Sequence, residues 1–257
     1  LDGANEFQNG NRVFANGKNS FKQVIHAIKI LNEENMKFGV IMTLSKRNIG
    51  CEEEIYNFIA NNNIYCSMRP AFPSGKNDSE IMSNEEFMLF FENFFDIWYK
   101  DNTEKVKLKQ ISDVYDEFVK VLEPKLYKPT CTYSKNCFGN FLSLDVWGNV
   151  YTCNRTYNIK EFFLGNLKQD RIETIMEKIE IYKNRRMQNI INSECKDCNI
   201  YKFCFGGCPA NSYELYNDYE KPYKYFCKAQ KEIYNYIKEV LSNDQQIIKY
   251  QKEINKR

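Results

Sequence analysis

The chain's 257 residues and 30.6 kDa allow one large domain or two modest ones. A 43% hydrophobic and 15% aromatic content supplies enough apolar mass for a core, which excludes wholesale disorder. Thirty-six Lys and Arg against 34 Asp and Glu leave a net charge of +2 with the signs interleaved, so no nucleic-acid partner is expected. Mean hydropathy is −0.61, and the most apolar stretch, Phe87 to Tyr99, is broken by Glu92, Asn93 and Asp96, so no membrane partner is expected either. The single histidine, His26, removes every site that needs two imidazoles and reads as a surface residue on a helix. Ten cysteines remain as the informative feature.

In chain order, Phe21, Val24, Ile25, Ile28 and Leu31 recur at helical spacing. Lys37 to Leu44 reads as a buried strand, Glu52 to Asn61 as a helix, and Ile64 to Arg69 as a second strand stopped by Pro70 and Pro73. This alternation predicts βα units and a parallel sheet. Two strands bury little, so more are expected upstream of Leu1. The loop Arg69 to Gly75 follows the second strand on the side where parallel barrels place their sites and is a candidate substrate contact. An aromatic helix over Asn84 to Asp101 and a further helix over Lys105 to Leu122 follow. Pro124, Pro129 and the onset of cysteines mark a boundary near residue 130, and Asn243 to Arg257 reads as a solvated helical tail. The expected division is 1–105, a helical linker 106–130, a cysteine-rich domain 131–240 and a polar tail 241–257.

Eight cysteines lie between Cys131 and Cys227, four of them in the run C-x2-C-x5-C-x3-C formed by Cys195, Cys198, Cys204 and Cys208, which ends in Cys208-Pro209. Three chemistries use such a set. Disulfides suit short secreted chains. Structural zinc takes four thiolates, and eight would hold two ions. Iron–sulfur cubanes take a tight run plus a remote cysteine, and in two-cluster ferredoxins the Cys-Pro member reaches across to the other cluster. On that last pattern Cys195, Cys198, Cys204 and Cys227 form one quartet and Cys131, Cys137, Cys153 and Cys208 the other, with none left over. Gly206-Gly207 suits a tight turn that brings backbone N–H groups near sulfur, and Gly148-Asn149 is a hairpin signal placing Cys153 at the end of the second strand. Cys51 and Cys66 read as ordinary buried thiols.

Cys137, Gly148, Cys153, Cys195, Cys198, Cys204, Cys208 and Cys227, taken with their spacings, resemble the SPASM signature of radical SAM enzymes. Cys131 matches the extra ligand of members whose first auxiliary cluster is fully coordinated. Leu1-Asp2-Gly3, Asn11-Arg12 and Gly17 to Phe21 look like the stretch after the fourth barrel strand in the same enzymes. The resemblance implies an α/β chain: the C-terminal half of a partial (β/α)6 radical SAM barrel, followed by a small α+β SPASM domain with two four-cysteine cluster sites. The implied ligands are Cys131, Cys137, Cys153 and Cys208 for one auxiliary 4Fe–4S cluster and Cys195, Cys198, Cys204 and Cys227 for the second. Asp2 and Arg12 are candidates to line the S-adenosylmethionine or substrate site. The family's C-x3-C-x2-C motif, which holds a third 4Fe–4S cluster and S-adenosylmethionine, lies upstream of the segment matching Leu1 and is not in this sequence. The expectation is a piece of a longer enzyme, inactive alone.

In such enzymes a 5′-deoxyadenosyl radical takes hydrogen from a peptide carbon, and a thioether, a carbon–carbon bond or an oxidised residue forms. The implied function is maturation of a ribosomally made precursor peptide, with auxiliary clusters that handle electrons. The implied partners are that peptide or protein and a donor such as flavodoxin or ferredoxin, and the implied setting is the reducing cytoplasm. Anaerobic sulfatase-maturating enzymes, an alternative, resemble the chain closely but carry a base aspartate after the cysteine matching Cys153. Here that place holds Asn154, whose neutral amide accepts no proton as a carboxylate does. A two-cluster electron-transfer module or a zinc-stabilised binding module is the non-enzymatic alternative. Arg155 reads either as orienting an anionic group or as solvated.

Overall fold

The computed structural model describes residues 1–73, 78–105, 111–129, 131–135 and 137–245. Contacts divide the chain into two units, one formed by Leu1–Tyr127 with Lys228–Arg257 and the other by Lys128–Cys227.

In the first unit, β1 (Val40–Leu44) and β2 (Cys66–Pro70) pair in parallel from Val40 opposite Cys66 to Leu44 opposite Pro70, with α3 (Glu52–Asn61) as the crossover. Period-2 alternation buries Met42 and Leu44 and leaves Ile41 exposed. On the far side of β2, Ile111 bridges Cys66 in parallel just before α5 (Ser112–Leu122). Asp113 ties α5 to the strand end: Oδ2 accepts from Met68 N at 2.6 Å and Ser67 Oγ at 2.9 Å, and Oδ1 pairs with Arg69 Nη1 at 3.0 Å. Asp113→Ala therefore leaves a strand amide without its acceptor. It is expected to cost about 1–3 kcal/mol, read as a lower urea midpoint, while an unchanged midpoint would show the anchor to be dispensable.

The aromatic helix α4 (Asn84–Lys105) starts on a capping box, with Ser83 N donating to Glu86 Oε2 at 2.7 Å and Glu86 N donating to Ser83 Oγ at 3.1 Å. Phe87, Phe90, Phe91, Phe94, Phe95 and Trp98 fall on one face at three- and four-residue spacing and are all buried. The ring of Phe94 lies 5.8 Å from that of Phe90 and 6.0 Å from Tyr56 of α3. Two shorter helices, α1 (Asn5–Asn11) and α2 (Phe21–Glu33), precede β1, and His26 is exposed on α2.

Two boundaries differ from the sequence reading. The segment read as a linker contains α5, whose Val114 and Phe118 are buried in the first unit; residues 106–110 lie outside the described residues. The last helix, α9 (Cys227–Asn243), groups from Lys228 onward with the first unit rather than extending the cysteine-rich domain to residue 240. The reason is an apolar stripe, Ala229, Ile233, Ile237 and Leu241, flanked by polar ties to α4. Lys228 Nζ meets Glu85 Oε1 at 2.6 Å, Tyr236 OH meets Asp96 at 2.7 Å, and Tyr99 OH meets Asp244 Oδ2 at 2.6 Å, so α4 and α9 run in the same direction. Of the expected polar tail, residues 246–257 lie outside the described residues.

The second unit is built on an antiparallel sheet ordered β3 (Ser143–Leu144), β4 (Asn149–Tyr151), β5 (Phe163–Asn166). Gly148, at φ +93°, closes the β3–β4 turn, and Asp145 Oδ1 accepts from Trp147 N at 2.9 Å and Asn149 N at 2.8 Å. Asn149 is thus the first residue of β4 rather than a turn residue. Phe138, Val150, Phe162, Leu164, Tyr219 and Ile175 and Ile179 of α6 (Ile172–Ile191) make its core. Neither β5 nor α6 is expected from the sequence patterns. Among the described residues no helix is long and apolar enough to cross a membrane.

Candidate metal centre

All ten cysteines are among the described residues, and none is joined in a disulfide. Cys131 opens a short turn at Cys131–Tyr133, Cys137 precedes buried Phe138, and Cys153 follows β4. Cys195 and Cys198 share a turn in which Cys198 N donates to Cys195 O at 3.2 Å. Cys204 ends α7 (Tyr201–Cys204), Cys208 is the N-cap of α8 (Pro209–Tyr216) with Pro209 at the first helical position, and Cys227 begins α9.

Electrostatics sort these sulfurs into two neighbourhoods. Burial pushes the Cys137 thiol up to about 12, and the charges adding to that are Cys208, Cys131 and Cys153. Burial likewise pushes Cys204 up to about 11, with a backbone hydrogen bond from Gly206 acting against it and Cys195, Cys198 and Cys227 adding to it. Cys204 and Cys208, four residues apart, therefore keep different company. The backbone between them explains why: Phe205, Gly206 and Gly207 have φ of +46°, +80° and +75°, three successive left-handed residues that swing the chain round. Gly207 N closes the turn on Cys204 O at 2.8 Å.

This turn has no room for side chains at its glycines. A Cβ on Gly206 would lie 2.6 Å from Cδ1 of fully buried Ile190, and one on Gly207 would lie 3.1 Å from Cβ of Tyr223. Gly206→Ala is expected to lose about 1–3 kcal/mol from the backbone strain alone, seen as a lower Tm; an unshifted Tm would refute the tightness of this turn.

Two arginines stand at the first neighbourhood. Arg155 Nη1 donates to Cys208 Sγ at 3.7 Å and to Asn211 Oδ1 at 2.6 Å, and its Nη2 pairs with Glu214 Oε2 at 3.3 Å. It is neither simply solvated nor open for an anion. Arg186 of α6 is 5% exposed and donates to the carbonyls of Gly206 (3.0 Å), Gly207 (2.9 Å), Lys221 (2.8 Å) and Tyr219. Burial lowers its pKa to about 10, with Cys208 and then Cys137 the leading charges that raise it. Arg186 and Asn211 escaped the sequence analysis. The signal was present for the former: Arg186 occupies the apolar stripe position between Ile179 and Ile190 of an amphipathic helix.

Asn154 is exposed, and the Cys153 thiol donates to its Oδ1 at 3.3 Å. Asp2 and Arg12 are brought together: Arg12 Nε donates to Asp2 Oδ2 at 2.9 Å, and Thr43 N of β1 donates to Asp2 Oδ1 at 3.3 Å. The Asp2 side chain is 2% exposed and Arg12 is 60% exposed, so the carboxylate serves as an internal pin and the guanidinium is the presented group. Cys51, half-buried at the start of α3, and Cys66, buried in β2, lie in the first unit, away from the eight in sequence and fold. Burial, then the Asp113 charge, pushes Cys66 up to about 12, as for an inert thiol. Of the candidate loop Arg69 to Gly75, Arg69 and Pro70 belong instead to β2, where they pair with β1, and Arg69 is held by Asp113; residues 74–77 lie outside the described residues. Among the described residues no three His, Cys, Asp or Glu converge on a point suited to a single ion; a cubane is a larger body.

Residues 131–199 match the family of iron–sulfur cluster-binding SPASM domains. This segment is a SPASM domain. The whole chain is similar to a cysteine-type anaerobic sulfatase-maturating enzyme of Clostridium perfringens, at 23% identity over 244 residues, covering 92% of this chain and 64% of that protein. It is also similar to a serine-type anaerobic sulfatase-maturating enzyme of Bacteroides thetaiotaomicron, at 22% identity over 264 residues, covering 92% and 60%. The chain thus spans about 60% of the length of these two curated relatives. Among solved structures, native anSMEcpe with bound AdoMet superposes with a TM-score of 0.74 at 20% identity, covering 95% of this chain and 67% of that one. The same protein with AdoMet and the Cp18Cys peptide gives 0.73 at 19% identity, covering 99% and 68%. The α/β fold of the chain therefore resembles that of anSMEcpe.

Proposed function

We propose that the chain is the C-terminal portion of a radical SAM/SPASM enzyme that modifies a ribosomally made peptide, its eight cysteines holding two auxiliary 4Fe–4S clusters. The observation that carries this is the division of the sulfurs into a Cys131, Cys137, Cys153, Cys208 neighbourhood and a Cys195, Cys198, Cys204, Cys227 neighbourhood. The donor set fits the group. Eight thiols free of disulfides offer four thiolates to each cluster, and the buried Arg186 cation meets its negative countercharge when Cys137 and Cys208 are ionised. When bound, such clusters supply one-electron transfer.

The chain's own residues act by positioning. Gly206 and Gly207 turn Cys204 and Cys208 to different partners, and Gly206 N–H supports the Cys204 sulfur. Arg155 donates to Cys208. Four cysteines for each cluster would occupy every iron, so the clusters would supply outer-sphere electron transfer rather than a place to ligate a substrate thiol. A crystal structure with an exogenous sulfur on an auxiliary iron would refute this. On this reading a C-x3-C-x2-C motif upstream of Leu1 would hold a third cluster with S-adenosylmethionine, and a flavodoxin or ferredoxin would supply electrons in a reducing cytoplasm. Presented Arg12 is the candidate contact for S-adenosylmethionine or substrate.

Sulfatase maturation, the activity in the names of the curated relatives, is the second reading; Asn154, where that reaction has its base, speaks for another peptide modification. The experiment is anaerobic metal and sulfide analysis together with the coding sequence upstream. Two cubanes give about eight iron and eight sulfide per chain. About two zinc without sulfide would overturn the proposal, and an upstream region lacking the motif would leave an electron-transfer module.

A further inference from the structure

Arg186 and Arg155 both act on one sulfur neighbourhood, Arg186 through the turn before Cys208 and Arg155 on the Cys208 sulfur itself. Arg186 is buried, and all its hydrogen bonds among the described residues go to neutral oxygens: four backbone carbonyls and Ser212 Oγ at 3.5 Å. Its charge is thus left for the titratable groups nearby, in order Cys208, Cys137, Asp218 and Cys195. Arg155 donates to Cys208 Sγ, held in place by Asn211 and Glu214. At the second neighbourhood Cys195 feels Arg186 less than Cys208 and Cys137 do, and its other cation, Lys224, is ion-paired with Glu194. The two cysteine groups therefore sit in unequal fields. Net charge and hydrogen bonds to sulfur set the potential of an iron–sulfur cluster, and groups outside the ligand set tune it.

We propose that Arg186 and Arg155 are positioning residues that hold Cys208 toward its quartet and set the Cys131, Cys137, Cys153, Cys208 cluster at a higher reduction potential than the Cys195, Cys198, Cys204, Cys227 cluster. This rests on the two-cluster reading above. An added electron is stabilised by a nearby fixed cation, so the cluster flanked by two arginines is the better acceptor. The asymmetry gives electron flow within the unit a direction, with the Cys208 cluster as the place where an electron rests. Arg186 has a second task. Its hydrogen bonds to Gly206 O and Gly207 O brace the left-handed turn, so the same side chain fixes where Cys208 points and what charge it feels.

The test is an anaerobic redox titration, followed by electron paramagnetic resonance, of the full chain loaded with iron and sulfide. Cys131→Ala identifies which signal belongs to the first quartet. Arg186→Gln is expected to lower that midpoint by a tenfold change in the one-electron equilibrium, about 59 mV, and to move the other midpoint less. Arg155→Gln, at a side chain 33% exposed and so tolerant of change, is expected to lower the same midpoint. Arg186→Lys keeps the charge and is expected to hold it near the wild-type value. Unmoved midpoints in a fully loaded Arg186→Gln protein, or equal shifts of both signals, overturn the proposal. Should Arg186→Gln fail to load, a wild-type midpoint in Arg155→Gln, or a lowered one in loaded Arg186→Lys, overturns it instead. A wild-type chain without sulfide is a different result, which removes the cluster reading itself.

Discussion

Cys208→Ala and Cys204→Ala, four residues apart, are expected to empty different cluster sites. Each single variant should hold about four iron atoms per chain where the parent holds about eight. The sharper readout is the pattern of double variants. Cys208→Ala combined with Cys137→Ala strikes one neighbourhood twice and should still leave about four iron. Cys208→Ala combined with Cys204→Ala strikes both and should leave almost none. The basis is that Cys208 is a charged neighbour of Cys137 while Cys204 neighbours Cys195, Cys198 and Cys227. A sequence-local arrangement, in which the run from Cys195 to Cys208 shares one site, predicts the opposite, because the Cys204, Cys208 pair would then empty one site only. Anaerobic iron and sulfide analysis of four variants decides the matter, and roughly equal iron in the two double variants would defeat the crossover.

Phe94→Ala is expected to be the most damaging single change in the first unit. The side chain is fully buried, and its ring packs between Phe90 and Tyr56. Truncation removes its apolar burial and leaves a cavity between α3 and α4 that the surrounding rings fill poorly. Together these cost about 3–5 kcal/mol, which lowers Tm by about 6–20 °C for a unit of this size. Leu89→Ala, on the opposite face of the same helix and 52% exposed, should stay within about 0.5 kcal/mol. Thermal unfolding of the two variants side by side checks the assignment of faces. Similar Tm values would mean that the aromatic stripe does not carry the core.

Much of this organisation was legible in the chain. The helix over Glu52 to Asn61, flanked by two strands, is present with β1 and β2 in parallel register, because periods of 2 and 3.6 are local properties that burial of one face rewards. Gly148 and Gly206-Gly207 announced turns, since positive φ is costly to any residue with a Cβ. The short strand β5 and the helix α6 were harder to see. β5 contains Gly165 and Asn166, poor strand formers held by pairing to β4, and α6 mixes charged residues and an internal arginine into its stripe. The path of α9 was misread because its apolar residues repeat every fourth position among polar ones, which shows an amphipathic helix without showing where it docks.

Cysteine number and spacing, with the Cys-Pro end of the run, sufficed by themselves to point to a SPASM segment, because the spacing of thiols is a local property of the chain. What only the tertiary structure decided is the surroundings of those sulfurs: that three left-handed residues separate Cys204 from Cys208, and that a buried guanidinium from α6, eighteen or more residues away, braces the turn and charges one neighbourhood more than the other. The physical reason is range. Backbone turns and ligand spacing are written over a few residues, whereas an electrostatic field sums over whatever the fold packs nearby, and no local pattern records that sum.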